Sequence, residues 1–193
     1  MTPDLSPSAL VQLLRPYYPT GLGSDDPAYN ASAEAQRLRQ VREEAQKDMG
    51  AWKAFVQRVH ETLPDCSLWD STLLIYDPCY RLRVSLPQRE PDEERSDELV
   101  CLLSLLAPAY VLYASHTLYT GPLLEQWTRY PPLPPAFQDC EAQLAGLVES
   151  TFTATRLPKE VLFTPVAGMT PPGATLALGK ARLADLLFTE DRW

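Results

Sequence analysis

From Cys66 to Leu118 the apolar positions predict paired strands. In CYRLRVSL, residues 79–86, Tyr80, Leu82, Val84 and Leu86 alternate with Arg81, Arg83 and Ser85, the period of two of a strand with one buried face. Its predicted partner is CSLWDSTLLIY, residues 66–76, joined to it by Asp77-Pro78. A second pair, ELVCLLSLL (98–106) and AYVLYASHTL (109–118), is broken at Ala107-Pro108. The run from Leu99 to Ala114 is almost wholly apolar and belongs mid-sheet, covered on both faces. A hairpin centred on Ala107-Pro108 places Leu99 opposite His116, with Cys101 nearby.

The spacing of three and four predicts the helices. Ser6-Pro7 reads as an N-cap followed by proline, opening a short helix through Leu14. A turn-rich loop carrying Tyr17, Tyr18, Asp25, Asp26 and Tyr29 follows. Its tyrosines are either a binding patch or anchors that hold the loop on the core. Ser32 then caps a long helix to Leu63, with Leu38, Val41, Ala45, Met49, Trp52, Val56, Val59 and Leu63 in one stripe. At roughly 45 Å it is expected to lie across the sheet, and Gly50 is its weak point. Leu123–Arg129 reads as a helical turn, and RYPPLPP (129–135) as a stiff linker into a helix from Ala136. That helix turns Phe137, Cys140, Leu144, Leu147 and Val148 inward. Thr151–Thr155, Val161–Pro165 and Thr175–Leu178 read as short extended pieces, Lys180–Leu187 as a last helix, and Trp193 as a clamp on the C-terminus. The expected fold is one α+β domain over residues 1–193: a central, mostly antiparallel sheet of four or more strands, a long helix packed across it, and shorter helices at both ends.

Composition narrows the function more than the fold. Seventeen basic and 25 acidic residues give a formal charge of −8, which argues against a nucleic-acid binder and suits a basic partner. Much of the acidity sits in QREPDEERSDE, residues 88–98: Glu90, Asp92, Glu93, Glu94, Asp97 and Glu98. This loop is either a docking segment for a basic protein or a solvated connection that keeps its strands soluble. The N-terminus has no signal-peptide pattern and no run approaches a membrane span, so a cytoplasmic protein is expected. Cys66, Cys79, Cys101 and Cys140 show no metal-ligand spacing; Cys66 and Cys79 flank the first hairpin. A Cys101–His116 pair is disfavoured by the apolar strand around the thiol, and no hydrolase, phosphate-loop or dinucleotide motif is present. Neither catalysis nor a cofactor is expected.

The segment YYPTGLGSDDPAYNASAEAQRL (17–38), the link RYPPLPPAF before a helix, and the ending TLALGKARLADLLFTEDRW (175–193) resemble the layout of bacterial immunity proteins paired with polymorphic toxins. The swarm-inhibition pairs of myxobacteria are the nearest system. The resemblance implies a small cytoplasmic protein that binds its cognate toxin one to one and blocks it. Many such toxins are nucleases with basic clefts, which acidic side chains would engage. The contact is expected first at Glu90, Asp92, Glu93, Glu94, Asp97 and Glu98, then at Tyr17, Tyr18, Asp25, Asp26 and Tyr29, with Trp69 and Trp127 added where exposed. The alternatives are a small-ligand-binding or enzymatic domain with a pocket between sheet and long helix, and an adaptor that presents prolines 131–135.

Overall fold

The computed structural model of the protein describes residues 3–87, 95–120, 123–173 and 175–189. The fold is α+β, as expected. Strands β1 (Ser67–Asp70), β2 (Cys79–Ser85), β3 (Arg95–Ser104), β4 (Ala109–Thr120) and β5 (Leu123–Arg129) follow one another across an antiparallel sheet. A sixth, β6 (Thr155–Arg156), runs parallel to β4. It takes the place beside Ala109 and Tyr110 that β5, paired only from Ala114 onward, leaves open.

Alternation along the strands divides the core into two layers. Leu82, Val84, Leu99, Cys101, Leu103, Tyr110, Leu112 and Ala114 face one side, packed by α3 (Gly50–Thr62) and α4 (Pro135–Phe152). Cys79, Val100, Leu102, Ala109, Val111 and Tyr113 face the other, under α1 (Pro7–Leu14), α6 (Leu183–Leu187) and Leu38 of α2 (Ala33–Lys47). The central strands are covered on both faces, which is why their sequence is nearly continuous in apolar residues.

The expected helix from Ser32 to Leu63 is two helices. Ser32 does cap α2, accepting from Ala35 N at 3.1 Å, but Asp48 leaves helical geometry (φ −122°, ψ 83°) and its carboxylate takes Gly50 N–H at 3.2 Å. That local bond competes with helix continuation. The stripe is continuous in sequence, yet its halves serve opposite layers: Leu38 on the α1 side, and Trp52, Phe55, Val59 and Leu63 on the α4 side. The longest helix, packed on the sheet, is instead the 18-residue α4.

Other expectations shift for similar reasons. Leu123–Arg129 is a strand, not a helical turn, because β4 runs to Thr120 and its far half needs a neighbour. Helix α4 continues to Phe152 and ends at Thr153 with φ 52°, so of the expected 151–155 strand only Thr155 is extended, at the start of β6. Within 161–165, Val161 and Leu162 belong to the short helix α5 (Lys159–Leu162), and residues 175–178 form no strand. Helix α6 starts at Leu183, where Asp185 accepts Arg182 N–H at 2.7 Å. Trp193 lies outside the described residues.

Candidate partner-binding surface

The expected first strand is cut short, and this segment carries four of the five exposed large apolar side chains among the described residues. Strand β1 stops at Asp70; Ser71 N–H still reaches Arg81 O, but Tyr76 and Asp77 then donate to Leu73 O and fold residues 73–77 into a turn. Trp69, Leu73, Ile75 and Tyr76 are left 61, 50, 60 and 68% exposed. Exposed large apolar side chains concentrated in one short segment point to an interaction site.

Polar contacts, some half-buried and some exposed, hold the patch in place. Arg83, opposite Trp69 in register, carries its guanidinium 5.6 Å from the indole and is itself fixed by Glu98 at 2.8 Å. Asp70 accepts Trp52 Nε1–H at 3.0 Å and Thr72 N–H at 3.2 Å. Arg42 Nη1 donates to Tyr76 O at 2.7 Å. Arg81, buried, pairs with Asp77 at 2.8 Å. The apolar side chains therefore stand on a braced turn, an arrangement that lowers the ordering cost of binding.

The residues expected to bind a partner are scattered. Tyr18 and Tyr29 are buried, their hydroxyls donating to Leu186 O and Thr170 O; they anchor the loop to the core and present no binding patch. Burial drives both phenols well above their ordinary range. Tyr17 is half-buried, Asp25 exposed, and Asp26 accepts Ala28 N–H at 2.8 Å. Asp97 and Glu98 sit in β3 on opposite faces, the first bonded to His116 Nδ1 at 2.6 Å and the second to Arg83. Glu90, Asp92, Glu93 and Glu94 lie outside the described residues. Trp69 is exposed, whereas Trp127 is half-buried, stacked on His116 at 5.0 Å beneath the Arg129 guanidinium.

The Cys101–His116 arrangement does not form. The hairpin pivots between Leu106 and Ala107, two positions away in register, so Leu99 meets Ala114, Cys101 meets Leu112 and His116 meets Asp97. Even-numbered slippage keeps each side chain on its face but separates this thiol from the imidazole by four strand residues. Burial pushes the Cys101 thiol up to about 12, far from a nucleophile's range. Cys66 and Cys140 pack into the same layer, while Cys79 is buried in the other. All four are free thiols.

Among the described residues no three His, Cys, Asp or Glu side chains form a metal-holding group, and no helix is long and apolar enough to cross a membrane. A cavity of about 230 Å³ opens between the linker before α4 and the β6–α5 segment, lined by Tyr130, Pro131, Arg156, Pro158, Lys159 and Glu160 among others. Tyr113 lies against Tyr130, the ring centroids 5.5 Å apart, and its buried hydroxyl has no hydrogen-bond partner among the described residues. An unsatisfied buried hydroxyl is a net penalty. Tyr113→Phe is therefore expected to raise stability by about 1 kcal/mol, read as a higher denaturant midpoint at unchanged slope; a lower midpoint would mean the hydroxyl is satisfied.

Compared with protein-family models, curated proteins and solved structures, the chain matches none. The sequence did not signal the patch: Leu73, Ile75 and Tyr76 lie in a stretch that reads as one strand up to Asp77-Pro78, with only Leu74 among them buried.

Proposed function

We propose that this protein is an immunity-type inhibitor that acts in the cytoplasm by binding a cognate toxin domain one to one, without catalysis or cofactor. The observation that carries the reading is the braced, exposed surface of Trp69, Leu73, Ile75 and Tyr76, which is rich in the aromatic residues that dominate protein interfaces. The net charge of −8 supports a basic partner, since opposite fields accelerate encounter. The likeness of residues 17–38 and 175–193 to toxin-neutralising proteins supplies the class of partner.

The reading is tested by co-expressing the chain with the C-terminal domain encoded by the neighbouring gene. The expected result is restored growth and a one-to-one complex on size-exclusion chromatography. Within that complex, Trp69→Ala is expected to weaken affinity about tenfold or more. Growth arrest that persists at equal expression, with no complex, would remove the inhibitor reading.

A further inference from the structure

We propose that the outer edge of β1 accepts an extended, basic strand from the partner, so that binding continues the sheet. The proposal rests on the inhibitor reading above and names how that partner is held.

The backbone supplies the first argument. Ser71 N–H donates to Arg81 O at 3.0 Å, and the same register runs back through Trp69↔Arg83 and Ser67↔Ser85. In an antiparallel ladder the alternate residues point their backbone groups away from the neighbour. Leu68 and Asp70 thus turn N–H and C=O outward, and β1 ends the described strand order. No hydrogen bond from Leu68 N or Asp70 N to another described residue accompanies that geometry. Natural edges are commonly guarded by lysine; β1 carries none.

Charge selects the occupant. Residues 61–80 contain Glu61, Asp65, Asp70 and Asp77 and no lysine, arginine or histidine. The same stretch holds four of the five exposed large apolar side chains among the described residues. Arg81 and Arg83, the nearest cations on β2, are engaged by Asp77 and Glu98. Asp77 is itself taken by Arg81, and Arg42 lies at Tyr76 O, which leaves Asp70 on the edge with Glu61 and Asp65 before it. A second copy of this chain would bring the same carboxylates and be repelled, whereas a lysine- or arginine-bearing strand gains at them. Main-chain bonds to Leu68 and Asp70 give affinity, and the exposed Trp69 between them offers apolar area to the added strand's side chains.

The test is amide-resolved NMR on the full chain, using two capped peptides as probes, one of alternating lysine and valine and one of alternating glutamate and valine. The Leu68 and Asp70 amides are expected to shift with the lysine peptide and exchange about tenfold more slowly, with no response to the glutamate peptide. Leu68→Pro, which deletes one outward N–H, and Trp69→Ala, an exposed change that leaves the core intact, are each expected to weaken the lysine peptide about tenfold. Equal response to both peptides, or shifts mapping away from β1, would overturn the proposal. So would a toxin complex in which Leu68 and Asp70 stay unprotected, while leaving the inhibitor reading standing. A lysine-peptide response without any toxin complex supports the edge and removes only the inhibitor reading.

Discussion

Raising the pH from about 8 to about 11 is expected to unfold the protein. Cys79 and Cys101 are buried, and their thiols are pushed far above the ordinary value, the latter to about 12. Tyr18 and Tyr113 are buried phenols raised in the same direction by the same cause, desolvation of the anion. In the unfolded chain the thiols lose their protons at about pH 8.5 and the phenols at about pH 10. The folded state holds those protons, so its advantage is complete below the unfolded values and drains as pH climbs toward the folded ones. Each such group removes about 1.4 kcal/mol per pH unit. All four groups act in the same direction, against a whole stability that in an ordinary domain is only about 5–15 kcal/mol. Circular dichroism and tyrosinate absorbance followed together should change in one steep step between about pH 10 and 11. Tyr113→Phe, with one titrating group fewer, should move that step upward. A chain that keeps its native spectrum well past pH 11 would mean that these groups ionise in place.

Local rules made much of this fold readable and failed where distant packing decided. The capping serines Ser6 and Ser32, the alternation in β2 and the apolar runs of β3 and β4 all report their own surroundings, and a helix starts or a strand runs at each. Asp48 breaks the long helix although the three-four spacing passes straight through it, because spacing records that a residue is buried and not against which layer. Leu123–Arg129 becomes a strand only because β4 is long enough to need it. His116 illustrates the finest limit. Its partner depends on whether the hairpin turns at Ala107-Pro108 or one residue earlier, and that difference replaces Leu99 with Asp97. For the binding surface, acidity was legible in bulk, but the aromatic patch was hidden inside a segment that looked like one continuous strand.

Trp52→Ala should be among the most damaging single substitutions in the chain, and it links stability to the proposed edge. Trp52 is buried on α3, stacked on Tyr80 of β2 at 4.8 Å and packed against Phe55 and Phe152, with ring centroids at 5.2 and 6.3 Å. It therefore joins α3, the sheet and the end of α4. Truncating a buried indole removes its apolar burial and leaves a cavity, a loss of about 3–5 kcal/mol. For a chain of this size the melting temperature should fall by roughly 10 °C. Trp52→Phe separates two contributions. It keeps an aromatic ring against Tyr80 but deletes the Nε1–H bond to Asp70, so the stability loss should be only about 1–2 kcal/mol. Asp70 is the last residue of β1, and freeing its carboxylate loosens the strand from α3. The Leu68 and Asp70 amides should then exchange faster, and the lysine peptide should bind more weakly although Trp52 touches no solvent. If Trp52→Phe lowers stability while β1 exchange and peptide affinity stay as in the parent, the edge is held by its pairing with β2 alone, and the indole serves the core.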